Sequence, residues 1–212
     1  MISVKNKSQD ILKILKKTYP KADCALHHQN PLQLMVSTIL SAQCTDKRVN
    51  QVTPALFAKY KSAQDFSRAK SPELEKIIRS TGFFRQKARW IKAAGQKLVR
   101  DFGSQVPRKM EDLVTIPGVA RKTANVVLGT AYRIAEGIVV DTHVKRIAKR
   151  LGLSRQTDPV KVEQDLVQVI PRKNWIWFSH ALITHGRQIC KAIHPLCSQC
   201  PLVQICPSRE VS

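Results

Sequence analysis

Acidic residues are scarce in this chain. Only 15 Asp and Glu stand against 36 Lys and Arg, a formal net charge of +21 with a pI near 10.2. Such an excess favours a polyanionic partner, because each phosphate contact made by a cationic side chain releases condensed counterions. A plain basic protein, or one lying on an anionic membrane, is the alternative that charge alone leaves open. Long apolar runs are missing as well. No stretch approaches the roughly 18 consecutive apolar residues of a membrane-spanning helix. The opening Met1-Ile2-Ser3-Val4-Lys5-Asn6-Lys7 has neither the apolar core nor the cleavage pattern of a secretory signal. The expectation is a cytoplasmic chain, in whose reducing surroundings the six cysteines do not pair as disulfides. Strand signals are almost absent too: only Ile138-Val139-Val140 is β-branched in a row, too short to found a sheet. No low-complexity tract or 20–50-residue repeat occurs.

Helical signals run from end to end. Ser8 precedes an apolar pattern at Ile11, Leu12, Ile14, Leu15 and Tyr19, stopped by Pro20. Asn30-Pro31 reads as a cap followed by proline in the first turn, opening a helix through Leu40. Ser71-Pro72 and Asp158-Pro159 repeat the device, with Gly82 closing the former helix. A basic helix is predicted over 84–102, ended by Gly103, and Asn174 is placed to cap another through Trp175, Phe178 and Leu182. The fold class is all-α, with about ten short helices.

Four cysteines crowd the C-terminus as Cys190-x6-Cys197-x2-Cys200-x5-Cys206. Four thiolates so close in sequence can close around one centre. A zinc site usually pairs two C-x2-C knuckles across a longer spacer. A single C-x2-C flanked by lone cysteines suits an iron–sulfur cubane, whose irons present corners in different directions. Spacing leaves iron–sulfur, zinc and unligated thiols all open. Cys24 and Cys44 are isolated and read as small, reduced core residues.

Residues 113–125 read Leu-Val-Thr-Ile-Pro-Gly-Val-Ala-Arg-Lys-Thr-Ala-Asn. A helix ends near Thr115, Pro117-Gly118 makes a tight turn, and a second helix starts near Ala120. Such a turn offers backbone N–H groups to a phosphate, with Arg121 and Lys122 adding charge beside it. An ordinary connection between two helices reads the same way. Further on, Asp141 precedes the helical stripe Val144, Ile147, Ala148 and Leu151, so its local reading is an N-cap. His143 reads as structural or solvent-facing.

Five segments, taken together, resemble the endonuclease III family of the helix-hairpin-helix superfamily. They are Ser41-Ala-Gln-Cys-Thr-Asp46, Thr81-Gly-Phe-Phe84, Ile116-Pro-Gly-Val-Ala-Arg-Lys-Thr-Ala-Asn125, Val140-Asp-Thr-His-Val144 and the cysteine run. They follow the family's order across nearly the whole chain. The resemblance implies a six-helix barrel domain over about residues 23–134, with the helix-hairpin-helix at about 109–130. It also implies a second domain from residues 1–22 plus 135–212, holding one 4Fe–4S cluster on Cys190, Cys197, Cys200 and Cys206. The implied activity is that of a monomeric, bacterial-type repair enzyme. It removes oxidised pyrimidines from double-stranded DNA and cleaves abasic sites by β-elimination.

On this resemblance Lys122 is the nucleophile that forms a Schiff base, and Asp141 is its ionised partner. The amine must be neutral to attack, whereas lysine ordinarily titrates at about 10.4. Arg121, the helix N-terminus and desolvation by bound DNA all act to favour the neutral form. Gln43 and Phe83 are implied to fill the gap left by an extruded nucleotide. Gly118, Ala120, Arg121 and Lys122 are implied to bind DNA at the hairpin. The chain departs from many relatives at three points. Ala120 replaces the hairpin's second glycine, Phe83 replaces Leu, and Phe84-Arg85 replaces Tyr-Asn. Core packing is the simpler reading of Phe83 and Phe84. The adenine-mismatch glycosylases, a related branch, place Glu where Thr38 stands and lack the hairpin lysine. A non-catalytic DNA-binding module is the rival from another class, and Lys122 together with Asp141 argues against it.

Overall fold

A computed structural model describes residues 4–209. Eleven α-helices succeed one another, joined by loops, 3₁₀ turns and one π turn, and no strand occurs among the described residues. The all-α expectation holds. Ile138–Val140 is a buried loop that leads into a helix. Among the described residues no helix is long and apolar enough to cross a membrane.

The chain divides into two compact units. One is Cys24–Ile134; the other combines the chain up to Asp23 with the chain from Ala135 onward. Helix α1 (Val4–Thr18) opens the second of these. The Cys24–Ile134 unit then carries α2 (Pro31–Leu40), α3 (Asp46–Lys59), α4 (Ala63–Ser67), α5 (Ser71–Ile78), α6 (Phe84–Asp101), α7 (Met110–Leu113) and α8 (Arg121–Val126). The remaining helices are α9 (Thr142–Arg150), α10 (Pro159–Val169) and α11 (Trp175–Gln188).

Local chemistry explains several starts. Asn30 accepts from Gln33 N at 2.9 Å, and Pro31 fills the first helical position of α2. Asp158 accepts from Val160 N and Lys161 N, both at 3.0 Å, to open α10. At α4, Ser62 Oγ accepts from Asp65 N at 3.1 Å while Asp65 Oδ2 accepts from Ser62 N at 2.9 Å, a reciprocal capping box. That helix lies hard against α6. A Cβ added at Gly95 would sit 2.7 Å from Ser67 N and 2.9 Å from Ala63 O, so only glycine permits this approach.

Three expected helix-start signals play out differently in the structure. Ser8 lies inside α1, which begins at Val4. It is fully buried and donates to Val169 O at 2.8 Å, a contact that no local pattern encodes. Ser71 and Pro72 are the first two residues of α5, and Lys70 takes the cap position without a side-chain bond. Asn174 makes no capping bond either, because a 3₁₀ turn over Arg172–Asn174 runs straight into α11 and leaves Asn174 helical. Cys24 and Cys44 are half-buried, not core residues.

Candidate functional site

The hairpin is built as its sequence implies. Val119 N donates to Ile116 O at 3.0 Å, closing a turn with Pro117 and Gly118 at its centre. Gly118 has φ +80°, and a Cβ there would lie 2.9 Å from Trp90 Cβ on α6. Glycine is therefore required twice, by backbone conformation and by close approach. Ala120 is extended (φ −83°, ψ 169°) and occupies the cap position of α8. It is neither helical nor left-handed, so its backbone does not require glycine. Arg121 and Lys122 are the first two residues of α8 and are exposed. Beyond them the buried segment Thr123–Val126 passes into the π turn Val127–Ala131.

Gln43 and Phe83 stand at the tips of two loops in the same unit, and both are exposed. Each has left-handed backbone, φ 51° at Gln43 and φ 48° at Phe83, which non-glycine residues adopt only where neighbouring structure holds them. Phe83 is 67% exposed. Core packing is thus excluded for it, and an apolar ring is offered to solvent at the start of α6. Phe84 is half-buried, with the guanidinium carbons of Arg79 and Arg85 at 5.9 Å and 5.4 Å from its ring centroid. Thr38 is buried and its hydroxyl donates to Leu34 O at 2.8 Å.

Asp141 belongs to the other unit. Its Oδ1 accepts from Val144 N at 2.8 Å, capping α9, and its side chain is half-buried. His143 Nδ1 accepts from Arg146 Nη2 at 3.2 Å. Burial holds its imidazole below the ordinary range, with Asp141 pulling the other way. The ring is wedged against α11, where a Cβ added at Gly186 would meet His143 Nδ1 at 2.8 Å. His143 is thus half-buried and packed against α11.

Cys190, Cys197, Cys200 and Cys206 line one cavity together with Ile147, Leu151, His185, Leu196 and Leu202. No three His, Cys, Asp or Glu side chains among the described residues are gathered closely enough to hold a single metal ion. Zinc would draw all four sulfurs to about 2.3 Å from one atom. Thiols spread around an apolar-walled cavity instead fit a multi-iron cluster, which gives each sulfur its own iron. Burial raises the Cys200 and Cys206 thiols above their ordinary value, so any metal bound there would have to displace protons.

Two residues that sequence reasoning missed anchor this segment. Arg146 Nη2 donates to Cys190 O at 2.7 Å and to Gly186 O at 3.2 Å. Arg150 Nη1 donates to Lys191 O at 2.6 Å and lies 3.2 Å from Cys190 Sγ. Their spacing of four residues on a helix was a signal, but a basic chain offers many such pairs. Lys87 on α6, a cation buried in the other unit, escaped notice for the same reason.

Known structures share this fold. A thermostable thymine-DNA glycosylase superposes with a TM-score of 0.86 at 21% identity, covering 96% of each chain. The fold is therefore that of the helical DNA glycosylases. The family model for "HhH-GPD superfamily base excision DNA repair protein" matches residues 36–172, and the chain belongs to that superfamily. It is 53% identical over 212 residues to endonuclease III of Synechocystis sp., covering 100% of this chain and 97% of that protein. It is 46% identical to endonuclease III of Bacillus subtilis, covering 89% and 86%. A non-covalent endonuclease III–DNA complex and a trapped covalent endonuclease III–DNA intermediate each superpose with a TM-score of 0.92 at 42% identity, covering 98% of this chain and 97% of that one.

Proposed function

We propose that this chain is a base excision repair enzyme of the cytoplasm. It removes oxidised pyrimidines from double-stranded DNA and then cleaves the abasic site as a lyase, with Lys122 as nucleophile and Asp141 as its electrostatic partner. One observation supports this above others. Lys122 stands exposed in the first turn of α8, immediately behind the Pro117-Gly118 turn, in a chain 42% identical to a protein trapped covalently on DNA.

The chemistry rests on these groups. Neutral Lys122 Nζ forms a bond to C1′ of the extruded nucleotide while the C1′–N glycosidic bond breaks, and the base leaves with its electron pair and takes a proton. Opening of the sugar ring gives an imine between Nζ and C1′. Loss of a C2′ proton then expels the 3′ phosphate oxygen, breaking the strand, and water hydrolyses the imine to restore the amine. The Asp141 carboxylate stabilises positive charge on the sugar and accepts protons. Arg121 and the hairpin N–H groups hold backbone phosphate. Gln43 and Phe83 enter the stack in place of the extruded nucleotide. The four cysteines would hold one 4Fe–4S cluster, which supplies a structural cross-link ordering residues 190–206.

Borohydride reduces the imine to a stable amine. Wild-type protein incubated with duplex containing an abasic or oxidised-pyrimidine site should give a covalent complex, and Lys122→Gln should give none. No adduct with wild-type protein overturns the lyase mechanism.

A further inference from the structure

Lys87 is 1% exposed, and it is the one lysine or arginine that is buried among the described residues. It lies on the inward face of α6 with Ala88, Ile91, Ala94 and Leu98. Its Nζ donates to Leu40 O at 2.8 Å and to Thr81 O at 2.8 Å. Neither acceptor is incidental. Leu40 is the last residue of α2, and Thr81 ends the 3₁₀ turn that succeeds α5. Both carbonyls belong to helix ends, where acceptors lack intrahelical partners and the backbone dipole favours a cation.

Each carbonyl sits at the root of an exposed loop. Three residues past Leu40 stands Gln43, and two residues past Thr81 stands Phe83. These are the two exposed, left-handed, non-glycine loop tips proposed to enter the DNA stack. One buried ammonium thus joins the roots of both loops. Left-handed backbone at a glutamine and a phenylalanine persists only where its flanks are fixed, and Lys87 fixes one flank of each. Burial also holds this amine below the ordinary lysine value, the desolvation cost of placing it there. No step of base removal or strand cleavage uses it.

We propose that Lys87 is a positioning residue for nucleotide extrusion, its ammonium locking the Gln43 and Phe83 loops into one rigid probe that enters the duplex as a unit. The proposal rests on the reading of Gln43 and Phe83 as residues that enter the stack. It separates Lys87 from the catalytic groups: removing the ammonium impairs extrusion and leaves bond chemistry intact.

The test uses the holo-protein and two substrates. Extrusion is monitored by stopped-flow fluorescence of 2-aminopurine beside the lesion in a duplex, and chemistry by borohydride trapping on single-stranded abasic DNA, which requires no unstacking. Lys87→Met, close in volume, should slow extrusion roughly 10- to 100-fold, the scale set by small misplacements of positioning groups, with single-strand trapping unchanged. Lys87→Gln, whose shorter amide cannot span both carbonyls, should show the same pattern and serves if methionine prevents folding. Adding Lys87→Met to Gln43→Ala/Phe83→Ala should bring no further loss of extrusion, since the loops it organises are already disarmed. If Lys87→Met or Lys87→Gln slows single-strand trapping as much as extrusion, Lys87 is merely structural and the proposal falls. If Gln43→Ala/Phe83→Ala slows extrusion while both Lys87 variants extrude at the wild-type rate, the loop reading stands and the positioning role alone is overturned. If Gln43→Ala/Phe83→Ala itself leaves extrusion unchanged, the loop reading fails and the Lys87 proposal falls with it.

Discussion

The Asp141 carboxylate accepts from Val144 N at 2.8 Å, so the group proposed to act on the sugar is also the cap of α9. One oxygen is fixed by the backbone, which orients the other. Asparagine caps about as well as aspartate but carries no charge. Asp141→Asn should therefore keep urea stability within about 0.5 kcal/mol and keep its affinity for damaged duplex. Base removal in single-turnover assays should fall roughly 10²- to 10⁴-fold. Wild-type turnover in that variant would reduce Asp141 to a helix cap.

The cysteine cavity leads to a prediction about composition. Purified protein should be yellow-brown and contain about four irons per chain. Cys197→Ala should lose most of that iron, and residues 190–206 should become protease-sensitive while the Cys24–Ile134 unit stays resistant. Elemental analysis and limited proteolysis read both outcomes. Zinc in place of iron would refute the cluster.

Gly118 is constrained both by φ +80° and by Trp90 at 2.9 Å from any added Cβ. Gly118→Ala should lower stability by about 1–3 kcal/mol through combined backbone strain and overpacking. It should also weaken duplex binding, because the turn that presents the hairpin N–H groups must shift. Urea midpoints and fluorescence anisotropy are the measurements. Wild-type values in both would mean that the hairpin tolerates the shift.

Asp65 supplies a pH dependence. Hydrogen bonds from Lys61 N and from Ser62 hold its carboxyl below the usual aspartate value. A carboxyl depressed in the folded state contributes stability that is complete above its unfolded value, near 3.9, and that is lost as pH falls through the lower folded value. Thermal midpoints of wild-type protein and Asp65→Asn should therefore converge as pH drops from 5 toward 3. Parallel curves over that range would show that the α4 capping box makes no titrating contribution.

Much of the site was legible because its causes are local. Asn30, Asp158 and Asp141 cap helices through atoms two or three residues away, and Pro117-Gly118 encodes its own turn. Ser8, Ser71 and Asn174 misled for the complementary reason. A polar residue before an apolar pattern announces a cap only if the helix starts there. Here α1 starts earlier, Lys70 takes the cap of α5, and a 3₁₀ turn absorbs Asn174. Ala120 looked like a compromised glycine position until its extended backbone removed the conflict.

The sequence by itself determined the all-helical class, the basic charge that suits a polyanion, the hairpin with Lys122 behind it, and the crowding of four cysteines into one short segment. Each depends on composition or on contacts a few residues apart. Only the tertiary structure decided that these thiols line one shared cavity, that Phe83 faces solvent, and that one lysine among many cations is buried beneath two loop roots. Those outcomes depend on which surfaces distant helices present to one another, and the free energy of burying a side chain is set by that environment, not by its neighbours along the chain.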